Sequence, residues 1–171
     1  MERAPESVHH ALMTAPMDYP AHTFDELEPG ICFRTGPRTI SRSDIDQFTE
    51  LSGDRTELHS DEEYARQTPL GGLVAHGVLN LSAATGLAYR MGVFQGTVLA
   101  IRSMEIKYDR PVFPGDAVTL QLTVAEMDPR PRSDRGRVGF EAKLFNQHGK
   151  VVLSGLWTVL MRRIEVAPAE D

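Results

Sequence analysis

From about residue 97 onward, apolar and polar side chains alternate. Val118, Leu120, Leu122 and Val124 carry the cleanest stretch of that alternation. A period of two is the mark of a strand with one buried face. Four runs show it: "TVLAIRSMEIKYD", "DAVTLQLTVAEMD", "RVGFEAKLFNQ" and "KVVLSGLWTVLMRR". "RPVFPGD", "DPRPRSDRGR" and "NQHGK" separate them as breaker-rich connections, the last a hairpin turn around Gly149. Earlier in the chain the period is helical. Ile45, Phe48 and Leu51 follow Ser41 and Asp44, a capping-box spacing, and predict a short helix over about 42–51. Ser60 and Glu63 repeat the signal and predict another brief helix. Across 71–92, Val74, Val78, Leu81, Leu87 and Met91 recur every three or four residues among Ala, Gly and Ser, which predicts one long helix buried on nearly all sides. "ICFRTGPRTI", 31–40, reads as a first strand broken at Gly36 and Pro37. Strand, short helices, a long helix and four antiparallel strands together predict an α+β fold in which a curved antiparallel sheet wraps a central helix. A sheet with one face uncovered favours pairing with a second copy, so a homodimer or higher homo-oligomer is expected.

The remaining segments are short. Residues 1–22, with Pro5, Pro16 and Pro20, are expected to form a flexible or draped arm. Residues 23–165 form one domain in this reading, and 166–171 a tail. His9, His10 and His22 fall in the arm, where nothing nearby completes a metal ligand set.

Composition narrows the function. A chain of 171 residues with 41% hydrophobic content can bury a real core. Its formal net charge of −6 argues against a broad nucleic-acid surface. One cysteine, Cys32, permits no intrachain disulfide and is read as a small strand residue. No signal-like segment or membrane-length apolar run is seen, so a cytoplasmic location is expected. No Gly-rich nucleotide fingerprint stands at a strand–helix junction, and neither cofactor nor metal is expected.

The chemistry concentrates in "SGDRTELHSD", 52–61, too polar for a core element. Asp54 and His59 are the candidate acid–base pair, because a carboxylate and an imidazole both move protons near neutral pH. Phe48, Ser52, Gly53, Asp54, Leu58, His59 and Ala65 stand at the spacing of a known motif, with "AHG" at 75–77 and "RPVFPGD" at 110–116 beside it. On those residues, roughly 25–162 resembles the MaoC-like, or (R)-specific enoyl-CoA hydratase, family, which has the hot-dog fold. The resemblance implies a lyase that adds water reversibly to a trans-2-enoyl thioester, giving the (3R)-3-hydroxyacyl thioester. It implies Asp54 and His59 on one water, the Gly77 backbone N–H as oxyanion donor, and Ser52, Gly53, Thr56, His76 and Thr85 around the substrate. The implied partner is acyl-CoA or a carrier-protein thioester. Basic groups for its phosphates would come from among Arg102, Lys107, Arg110 and the arginines of the 128–137 loop. Two positions depart: Thr56 and Glu57 stand where the family usually has Asn-Pro.

Two rival functions use the same fold. A hot-dog thioesterase would place a carboxylate on the central helix, and 72–91 contains neither Asp nor Glu, only the amide of Asn80. A non-catalytic acyl-thioester-binding subunit is allowed by Thr56 and Glu57, but it sits poorly with Asp54, His59 and Gly77 together.

Overall fold

The computed structural model describes residues 19–129 and 134–164. Arg130 and Arg132, the His9–His10 pair, and most of the expected arm and tail lie outside them.

Six strands form a single antiparallel sheet: β1 (Cys32–Arg34), β2 (Arg38–Thr39), β3 (Val98–Tyr108), β4 (Ala117–Asp128), β5 (Arg135–Asn146) and β6 (Val151–Arg162). Their order is β1-β4-β5-β6-β3, with β2 also pairing β4. Each of the four long alternating runs is a strand, and the broken first strand is indeed two short ones. β5 begins earlier than its apolar pattern did. Arg135 and Arg137 belong to the sheet, not to a basic loop, and are paired with Asp134 and Asp128. Register shifts interrupt the β3–β6, β4–β5 and β5–β6 pairings, which are places where a sheet bends.

Four helices precede β3: α1 (Arg42–Ser52), α2 (Glu57–Ser60), α3 (Glu62–Gln67) and α4 (Gly77–Arg90). In α1 the expected capping box is complete: the Ser41 hydroxyl accepts from Asp44 N, and the Asp44 carboxylate accepts from Ser41 N. The second cap falls on a different residue. Asp61 caps α3 by accepting from Tyr64 N, whereas Ser60 closes α2 and turns its hydroxyl back to the Arg55 and Thr56 carbonyls.

The long helix is shorter than its apolar pattern. Residues 71–76 are not helical, because their backbone is used elsewhere: Val74 N donates to Leu58 O and Ala75 N to Val112 O. Gly71, at φ 72°, turns the chain into that extended segment. Nor is α4 buried all round. Leu79, Ala83, Ala84, Leu87 and Ala88 face the core with Leu120, Leu122, Phe140 and Trp157 of the sheet. Val78 and Tyr89 stay exposed on the opposite stripe, as do Leu99 and Ile101 of the edge strand β3, and Tyr89 and Ile101 line one cavity. Before the sheet begins, Tyr19 N and His22 N bond the Met91 and Val93 carbonyls, so the chain from residue 19 lies along the end of α4.

Candidate active site

Asp54 follows the end of α1. Gly53 caps that helix in the left-handed region at φ 74°, which frees the next residues to turn outward. The turn is then held locally. Asp54 N donates to Ser52 Oγ at 3.2 Å, and Thr56 donates to Asp54 Oδ1 twice, from N at 3.1 Å and Oγ1 at 2.6 Å. Thr56 therefore supplies two donors to the carboxylate, and Glu57 opens α2 with no loss of the turn. Ser52, Gly53 and Thr56, expected around the substrate, shape the Asp54 loop.

His59 lies on α2. Its Nδ1 sits 2.8 Å from the Val74 carbonyl oxygen, which can only accept, so Nδ1 carries the hydrogen and Nε2 is left as the working nitrogen. His76 lies directly behind. It is 2% exposed, and its ring stacks on His59 with centroids 3.8 Å apart and planes at 29°. Phe48 packs against the same ring at 5.0 Å. So buried a His76 is placed to brace the loop and the start of α4.

The ligating atoms of Asp54, His59 and His76 all lie within 4.8 Å of one another. That set has the composition of a metal site but not the aim of one. The rings are stacked face to face, and His59 Nδ1 and His76 Nε2 are committed to backbone carbonyls. A single water between the exposed carboxylate and the His59 ring fits this arrangement better than tetrahedral coordination.

The Thr56 donors are the main reason Asp54 is held below the usual carboxylate range, with smaller help from His76 and His59. The side chain is half exposed and stays ionised well into acid. Its folded value lies below its unfolded one of about 3.9. The stabilisation is therefore fully present above that pH and is lost as pH falls through the folded value. Thr56→Val removes the stronger donor and keeps the backbone one. We expect the Asp54 carboxyl to titrate at higher pH in this variant, read by carbon-13 NMR of the labelled side chain. An unmoved midpoint would assign the lowering to the Thr56 backbone donor and the histidines instead.

Gly77 starts α4, so its N–H has no acceptor within the helix. A Cβ there would meet the Tyr108 ring at 2.8 Å, a second reason for glycine that the sequence did not announce. Gly77, Tyr108 and Asn80 share a pocket of about 450 Å³ with Asp109 and Arg110. Asn80 is buried there, with Oδ1 lacking a partner. Thr85 lies further along α4. Its hydroxyl bonds back to Ser82 O at 2.8 Å, and it lines a largely apolar cavity of about 330 Å³ with Ala88, Tyr89, Ile101 and Trp157. A wider groove of about 830 Å³ runs along α1, where Asp44, Asp46 and Glu50 are each paired with an arginine. Among the basic candidates, Lys107 pairs with Asp109 and Arg110 donates to Val151 O.

Residues 27–144 match the model of the MaoC-like domain, and the chain belongs to that family, with the hot-dog fold its sequence suggested. More particular likenesses follow. The chain is 33% identical over 115 residues to a 3-hydroxybutyryl-CoA dehydratase of Methylorubrum extorquens, covering 66% of this chain and 69% of that one. It is 30% identical over 140 residues to an (R)-specific enoyl-CoA hydratase of Rhodospirillum rubrum, covering 82% and 92%. With Protein MaoC of Klebsiella aerogenes it shares 39% identity over 101 residues, 58% of this chain but only 30% of that longer protein. Among solved structures, the MaoC-like dehydratase from Rhodospirillum rubrum superposes with a TM-score of 0.76 at 26% identity, covering 85% of this chain and 100% of the other. No described helix is long and apolar enough to cross a membrane.

Proposed function

We propose that this protein is a hydratase/dehydratase of enoyl thioesters, with Asp54 and His59 acting on one water. The observation that carries the reading is the meeting of an ionised carboxylate and a free imidazole nitrogen within reach of a single solvent molecule. Asp54 orients and polarises the water, and His59 Nε2 handles its proton. The water oxygen bonds C3 as the C2–C3 double bond opens, and the proton ends on C2 of the same face. Negative charge builds on the thioester oxygen during the transfer. The Gly77 N–H at the start of α4 is the donor we assign to it, reinforced by the helix dipole. The 330 Å³ apolar cavity beside Thr85 is assigned to the acyl tail. The relatives named as an (R)-specific hydratase and a 3-hydroxybutyryl-CoA dehydratase support a CoA thioester and a (3R) product. The exposed apolar stripe of Val78, Tyr89, Leu99 and Ile101, beside the free edge of β3, is assigned to a second copy of the chain.

The experiment is addition of the protein to crotonyl-CoA while enoyl absorbance and free thiol are followed together. Loss of absorbance without thiol release is the expected result. Thiol release would make the protein a thioesterase, although α4 carries no carboxylate. A flat trace with crotonyl-CoA and with longer or branched enoyl thioesters would leave a binding subunit.

A further inference from the structure

His76 touches both halves of the candidate acid–base pair without reaching solvent. Its Nε2 lies 3.1 Å from the Asp54 backbone oxygen and 4.0 Å from Asp54 Oδ2. A backbone oxygen only accepts, so Nε2 carries the hydrogen. Nδ1 is then a buried lone pair, and it has no partner. The other side-chain bonds of the Asp54 turn are short-range: Asp54 to Ser52 and Thr56, Arg55 to Glu50, Ser60 to Arg55. The His76 bond spans 22 residues and fastens that turn to the start of α4. Two residues earlier, the Val74 carbonyl holds His59 across 15 residues. Segment 74–76 thus grips the Asp54 backbone and the His59 side chain, and the segment is itself anchored through Ala75 N to Val112 O at 2.8 Å.

We propose that His76 is a positioning residue, locked as the Nε2–H tautomer, which fixes Asp54 through that hydrogen bond and the His59 ring plane through stacking. Its catalytic consequence rests on the hydratase reading above. Its geometric content does not, and two sets of measurements keep them apart.

The first set is kinetic. His76→Gln keeps an N–H near the Nε2 position and loses the ring. His76→Phe keeps a ring and loses the donor. Each is expected to lower kcat on the best enoyl thioester at least tenfold with KM within twofold, because misplacing catalytic groups weakens the transition state more than ground-state binding. In an Asp54→Asn background the further loss from His76→Phe is expected to shrink, since the two act as a unit. Wild-type kcat in both variants overturns the proposal, as does a raised KM with kcat unchanged. The second set needs no activity: nitrogen-15 spectra of the histidine rings in the full chain, with His76 assigned by its absence from His76→Gln. His76 is expected as Nε2–H. His59 is expected as Nδ1–H in the wild type and in His76→Gln, because the Val74 carbonyl still holds it, with its ring signals shifted in the variant by loss of the stacked ring. A proton on His76 Nδ1, or His59 ring signals unmoved by loss of the ring behind it, overturns the positioning role. If the wild type hydrates no thioester, the spectra decide alone. If His76→Phe fails to fold, His76→Gln and the wild-type spectrum carry the test.

Discussion

Replacing Asp54 by Asn is expected to lower kcat for enoyl-thioester hydration by about 10²–10⁴-fold, the range usual for a group that handles a proton in the transition state. The substitution suits the site. An Asn carbonyl still accepts both Thr56 donors, so the turn after Gly53 keeps its shape. The backbone oxygen that His76 holds is untouched. What is lost is the charge, which the same donors keep in place down into acid. The side chain is half exposed, so its charge contributes little to stability at neutral pH and thermal unfolding should stay near wild type. The initial rate of enoyl absorbance loss, wild type beside variant, is the measurement. A variant with full activity would remove Asp54 from the chemistry, and one that unfolds early would make the residue a turn former.

That separation of charge from loop shape bears on what the sequence could announce. The β-type runs were legible because alternation, with turn residues between, leaves one solution for a half-buried strand. The start of α1 was legible for an equally local reason, since Ser41 and Asp44 satisfy each other's neighbours. The long helix was over-read. Apolar residues at 73–75 continue the helical period, but their backbone groups bond Leu58, Val112 and His59, and only the three-dimensional contact reveals that. The exposed stripe on α4 was missed because small apolar residues on every side look the same in sequence whether they meet the core or another chain. Asp54, His59 and Gly77 were found through the spacing of a motif. The Tyr108 ring above Gly77 comes from an edge strand some 30 residues on and left no local signal. His76 was singled out by "AHG", but the sequence could not show which residues its ring touches; burial against His59 and Phe48 supplies that.

His59→Asn should cost a comparable factor, about 10²–10⁴ in kcat, and it does so with the site's frame intact. The Asn amide reaches about as far as Nδ1 and can donate to the Val74 carbonyl, which preserves the link between α2 and the 74–76 segment. It has no atom where Nε2 stood, so nothing passes the water's proton. His59→Ala loses both. It leaves the Val74 carbonyl without its side-chain donor, which by the usual net worth of a hydrogen bond lowers stability by about 0.5–1.5 kcal/mol. It also bares one face of the His76 ring. The two variants should therefore match in activity and differ in melting temperature, with Asn near wild type and Ala below it. Equal melting temperatures would mean the Val74 bond contributes nothing to the fold. An active His59→Asn would show that the bond to Val74, rather than the free nitrogen, is what the reaction needs, and Asp54 would then work alone on the water.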